Sequence, residues 1–153
     1  MVQPFSQSDA PYLGTGLSFP LRVNVQGQLM LSSGDRNIEE SIHIILRTTI
    51  GERVGLSQFG SNLEDMAFDP LNSSTLVLLR IAVEEALQRW EPRIELDEVQ
   101  AVPNPAKGRV DLILSYRVIN EYNSRSLIYP FYLQLAEEQA SKPAAAPVYG
   151  QPV

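Results

Sequence analysis

Three carboxylates expected near helix ends, Glu52, Asp69 and Glu91, are the first candidates for chemistry in this sequence. Two of them facing one another across a groove could cleave a glycosidic bond. That requires a separation of about 5–9 Å and a raised proton affinity on one partner. Spacing alone establishes neither condition. Glu52 is followed by Arg53, and Glu91 stands two residues before Arg93. Both carboxylates are therefore expected in ion pairs, which hold a carboxylate ionised.

Other routes to catalysis are thinner. His43 is the sole histidine and has no companion at metal-ligand spacing, so it reads as a helix-flank residue. Gly14 and Gly16 begin a G-x-G pattern, but Phe19 occupies the third glycine position and a strand signal follows, which rules out a dinucleotide loop. Ser57, Ser61 and Ser73 read as loop or cap residues, with no nucleophile elbow around them. Cysteine is absent, which removes thiol chemistry, disulfides and thiolate metal sites. No cofactor is expected.

The most informative string is Trp90–Glu91–Pro92–Arg93–Ile94. It sets an aromatic anchor at a helix end, then a carboxylate, a forced change of direction, and a guanidinium at a strand start. Glu91 and Arg93 can clamp each other across the corner, or Arg93 can offer its rigid donor fork to another subunit. Both roles remain open at this point.

The elements that must position this corner follow from periodicity. Leu21, Val23 and Val25 alternate with polar residues, and Leu29 and Leu31 continue the pattern, so Pro20 to Leu31 reads as a hairpin. Asn37 and Glu40 have cap-and-return spacing ahead of a helical face built from Ile38, Ile42, Ile45, Leu46 and Thr49, which Gly51 closes. Ser61 with Glu64 opens a short helical piece that must end before Pro70. A long helix follows Ser73 and Ser74. Leu76, Leu79, Val83, Ala86, Leu87 and Trp90 form its apolar face, and Arg80–Glu84 and Glu85–Arg89 are spaced as surface pairs. Beyond Pro92 the period becomes two. Ile94 and Leu96 are out of phase with Val99 and Ala101, which predicts a bulge near Asp97–Glu98. Two further strands run through Val110–Val118 and Leu127–Leu133, the second carrying Pro130 and so belonging at an edge. The fold class expected is α+β, a small antiparallel or mixed sheet on two main helices. Phe19, Pro20, Ile42, Leu46, Gly51, Phe68, Leu79, Val83, Trp90 and Phe131 are expected as core or structural positions.

Length and charge set the outer limits. The chain has 153 residues, enough for one ordinary domain, and 44% hydrophobic residues support a real core. Residues 1–136 are expected to form that domain, and 137–153 an Ala- and Pro-rich disordered tail. The net charge is −6 with Arg and Lys scattered, which speaks against a nucleic-acid partner. No apolar run has the length of a membrane span and no signal peptide opens the chain, so membrane insertion is not expected.

Several short strings together resemble the baseplate wedge and sheath-initiator proteins of contractile-tailed phages, type VI secretion baseplates and extracellular contractile injection systems. They are Gly16–Leu17–Ser18–Phe19–Pro20, Asn37–Ile38–Glu39–Glu40–Ser41–Ile42, and Ile45–Leu46 with Thr48 and Gly51–Glu52–Arg53. Phe59–Gly60–Ser61, Phe68 with Pro70, Glu91–Pro92–Arg93 and Tyr129–Pro130–Phe131 follow in family order. The resemblance implies a structural, non-enzymatic subunit in a particle of six-fold symmetry. It would link the wedge to the first sheath ring and template sheath assembly by strand sharing. The implied partners are wedge proteins, at Glu91, Pro92 and Arg93, the sheath protein, and tube or hub-proximal proteins. Assembly would occur in the bacterial cytoplasm, ending in a phage tail or injection-particle baseplate. The alternatives are an anti-adaptor-like regulatory binding module and, third, an acidic-residue carbohydrate hydrolase.

Overall fold

A computed structural model describes residues 11–134. The boundary expected at 136/137 and the tail beyond it lie outside the described residues. The fold is α+β, two main helices packed against an antiparallel sheet.

The first pairing is wider than the hairpin read from the sequence. Strand β1 (Thr15–Leu17) pairs antiparallel with β2 (Leu31–Ser33), and the intervening arm closes near its tip through a Val23–Leu29 bridge. Leu17, Leu21, Val23, Leu29 and Leu31 alternate as a strand face should, yet all are exposed. Alternation gave the strand geometry but not a packing partner. Pro20, expected in the core, is exposed on this arm, and Phe19 is half-buried.

Helix α1 (Gly34–Arg47) starts one turn before the expected cap at Asn37, with Ser33 as its N-cap residue. Asn37 lies inside the helix because its side chain has tertiary partners: it donates to the Ser32 hydroxyl at 3.0 Å and accepts from Arg93 at 2.8 Å. Ile38, Ile42, Ile45 and Leu46 lie on the buried face. Gly51 is an exposed turn residue at φ +95° rather than a core position. The expected Glu52–Arg53 pair does not form. The turn folds Glu52 back to accept from the Thr49 amide at 3.0 Å, while the Arg53 guanidinium lies 4.8 Å from the Phe59 ring centre.

A short 3-10 helix (Glu64–Phe68) leads toward Pro70. Ser61 does not cap it; its hydroxyl donates to the Leu46 carbonyl and ties the loop to α1. Phe68, expected in the core, is 66% exposed, because it closes that short helix at its solvent end. Gly60 has a sharper constraint. It sits at φ +116°, and a Cβ there would come within 2.1 Å of the Thr48 carbonyl oxygen.

Helix α2 (Ser73–Trp90) is capped by Asn72, whose side chain accepts from the Thr75 amide at 2.8 Å. Leu79, Val83, Ala86 and Leu87 are buried, and Trp90 is half-buried against Phe59 with ring centres 5.2 Å apart. The expected Glu85–Arg89 pair is replaced, as Arg89 donates to Gln58 and covers the Trp90 ring.

The main sheet is β3 (Ile94–Asn104), β4 (Arg109–Val118) and β5 (Ser124–Tyr132), antiparallel in that order. Central β4 buries Val110, Leu112, Leu114, Tyr116 and Val118, every second residue. The register of β3 against β4 shifts between Leu96 and Glu98, so Asp97 is the extra residue of a bulge. It is fastened there, accepting from Arg117 at 2.9 Å and Ser124 at 3.3 Å. The phase change in the sequence thus keeps Ile94 and Val99 both in the core.

Candidate functional site: the corner between helix and sheet

Pro92 forces the chain out of α2, and this turn brings Glu91 and Arg93 together across one residue. Arg93 Nε donates to Glu91 Oε1 and Nη2 to Oε2, each at 2.7 Å, a bidentate pair. Nη1 donates to the Leu13 carbonyl at 2.7 Å and to Asn37 Oδ1 at 2.8 Å. A guanidinium has five N–H donors. Among the described residues four are thus used, leaving one Nη2 hydrogen without a partner there. The fork joins the segment before β1, helix α1 and the start of β3.

The electrostatics follow from burial. Glu91 is only 1% exposed. Burial pushes its proton affinity up, but Arg93 and the Ser41 hydroxyl outweigh this and hold the carboxyl below the usual range. Glu91 in turn raises the Arg93 guanidinium, against a smaller opposing effect of burial. This corner is a locked ion pair. Glu91 therefore lacks the raised proton affinity that a glycosidase acid needs. Pro92, between them, is exposed.

The other candidates lie elsewhere. Glu52 and Glu64 converge on Thr49, which donates its amide to the first and its hydroxyl to the second, at 2.8 Å. That convergence was invisible in the sequence, where Glu64 read only as a cap partner. His43 sits against Tyr129, ring centres 5.6 Å apart and tilted. Among the described residues, no group of His, Cys, Asp or Glu is arranged to hold a metal ion, and no helix is long and apolar enough to cross a membrane.

Residues 32–123 match the family model described as baseplate wedge protein gp25. Baseplate protein W of Escherichia phage P2 is 36% identical over 63 residues, covering 41% of this chain and 55% of that relative, so the match spans little more than half of it. A crystal structure from Geobacter sulfurreducens, described as a "putative tail lysozyme", is 44% identical, covering 71% of this chain and 99% of that one with a TM-score of 0.65. A chain in the postcontracted baseplate of pyocin R2 is 32% identical, covering 64% and 97% respectively with a TM-score of 0.53. The likeness to a chain described as a tail lysozyme overturns the expectation of a non-enzymatic chain. The matched segment runs from β2 through the Glu91–Arg93 corner into the sheet, and the chain belongs to the baseplate wedge protein gp25 family, with a structural role in the baseplates of contractile injection systems.

Proposed function

We propose that this subunit links the baseplate wedge to the first sheath ring and starts the sheath by strand addition. The observation that supports this is the outer edge of β3, eleven residues long and paired on one side only among the described residues. Main-chain pairing at such an edge gives an incoming strand both affinity and register. Each edge carries one proline without an amide donor, Pro103 near the end of β3 and Pro130 within β5, so the proline-free run offered by β3 is Ile94–Val102. On this reading Glu91, Pro92 and Arg93 face the wedge, with exposed Pro92 and the remaining Arg93 donor as the contacts. Repetition in a six-fold ring makes weak contacts cooperative.

Proline placed singly at Gln100 and at Ala101 tests the edge, because neighbouring amides point to opposite sides of a strand. One variant loses a β3–β4 bond and destabilises the subunit. The other should fold and bind the wedge, yet give particles without sheath by electron microscopy. Full-length sheaths on that folded variant would refute strand addition.

A second reading, glycan hydrolysis, is favoured by the likeness to the Geobacter protein. Glu52 and Glu64, gathered around Thr49, are the carboxylates to test. Release of reducing ends from peptidoglycan, abolished by Glu52→Gln or Glu64→Gln in folded protein, would establish it.

A further inference from the structure

The arm formed around β1 and β2 carries an inverted pattern that neither strand addition nor the Glu91–Arg93 clamp explains. Small residues face the body of the subunit. Ser18 and Ser32 are buried, the Ser32 hydroxyl accepts from Asn37 at 3.0 Å, and a Cβ on Gly16 would come within 2.8 Å of Asn37 Nδ2. Large apolar residues face out. The register pairs Leu17 with Leu31 and, further along the arm, Val23 with Leu29, and all four are between 51% and 64% exposed. Alternation along the second strand sets Leu29 and Leu31 on one face, so the two pairs are successive rungs of an apolar ladder. A ribbon that only capped the subunit would turn its leucines inward and its serines to water.

The arm is anchored at its base. Arg93 Nη1 donates to the Leu13 carbonyl just before β1 and to Asn37 Oδ1, and Asn37 Nδ2 donates to Ser32 in β2. One guanidinium therefore reaches both stems, directly on one side and through Asn37 on the other. A two-stranded ribbon is marginally stable alone, and an exposed apolar face on it marks a contact surface. Among the described residues, nothing covers that face.

The ladder selects its occupant. Arg22 is the one charged residue from Pro11 to Ser33, and it stands opposite Met30, off the ladder. A charged partner surface would thus lose water there without meeting a counter-charge. A lone strand laid flat on the ladder would leave its own N–H and C=O groups against apolar side chains. A helix satisfies those groups internally. It is also about 10 Å across, wide enough to cover two strands that lie about 4.8 Å apart. We propose that the rungs Leu17–Leu31 and Val23–Leu29 dock an amphipathic helix of a wedge protein through an uncharged apolar stripe. The choice of the wedge rests on the reading above, in which the corner that anchors this arm faces that partner.

The test is hydrogen exchange on the full chain, alone and with the reconstituted wedge complex. Wedge affinities of Leu29→Lys, Leu31→Lys and Leu29→Met are measured in parallel. Residues 17–31 are expected to gain protection only with the wedge, and one helical segment of the wedge to gain it in turn. Each Lys variant should bind about tenfold more weakly, and Leu29→Met nearly as well as the native chain. Both leucines are exposed, so the variants should keep the native urea midpoint. Lys variants that bind as tightly as the native chain would overturn this inference and leave the wedge reading standing. A native chain that does not bind the wedge would overturn both. Protection of the arm in the free chain would put another occupant on the ladder: a second copy if it rises with concentration, the chain's own ends if it does not. Either result overturns the wedge helix, as does wedge protection confined to a loop or strand.

Discussion

Replacing Arg93 by Ala removes four hydrogen bonds, two of them to the Glu91 carboxylate, which is 1% exposed, and one each to the Leu13 carbonyl and Asn37. Breaking a buried ion pair by truncating one member costs about 3–5 kcal/mol, chiefly because the remaining charge is stranded. Domains of this size have about 5–15 kcal/mol of stability in total, so Arg93→Ala should fold but sit near the margin. With a urea slope near 2 kcal/mol/M, the midpoint should fall by about 2 M. The pH dependence gives a more discriminating readout. In the native protein the Glu91 carboxyl is held below its unfolded value, so its contribution is present above the unfolded pKa and lost as pH falls through the folded one. Without Arg93, burial dominates and raises the folded value above the unfolded one. The sign reverses: the variant should lose less stability than the native protein between about pH 6 and pH 4. Glu91→Gln should recover part of the loss in the double variant, a non-additivity that identifies the pair. Urea melts at several pH values measure all of this. An unchanged midpoint, or parallel pH profiles for native and Arg93→Ala protein, would refute the clamp.

Other substitutions probe separate links. Gly60→Ala should destabilise by more than about 1 kcal/mol in thermal melts, since the new Cβ would collide with the Thr48 carbonyl at a left-handed φ. Trp90→Ala should cost less than the roughly 3–5 kcal/mol of a fully buried ring, because Trp90 is half-buried and leans on Phe59; urea unfolding measures it. Leu46→Ala should cost about 2–5 kcal/mol, whereas Phe68→Ala should stay within about 0.5 kcal/mol, a contrast that checks the corrected core.

Sequence periodicity was most informative where one face is buried against a continuous partner. The alternation of β4, the apolar face of α1 and the phase change at Asp97 all had direct structural counterparts. It was least informative where a side chain had two eligible partners. Asn37 and Ser61 had the chemistry of caps, but Arg93 and the Leu46 carbonyl claimed them through contacts distant in sequence. Phe68 misled because hydrophobicity says that a ring prefers to leave water, not that a cavity is available for it. The Glu91–Arg93 pair was readable from spacing, but the reach of Arg93 to Leu13, eighty residues away, was not.

The bulge at Asp97 divides the outer edge of β3 into a short stretch, Ile94–Leu96, and a longer one, Glu98–Asn104. A straight strand laid along that edge cannot stay in step across the break, so it must begin on one side or the other. Asp97, fastened by Arg117 and Ser124, cannot wander along the strand to accommodate a mispositioned newcomer. One misfit residue thereby works as a zero mark on a ruler. If strands are added to this edge, every copy of the subunit would offer the same origin, and the rings above would inherit a common phase from it.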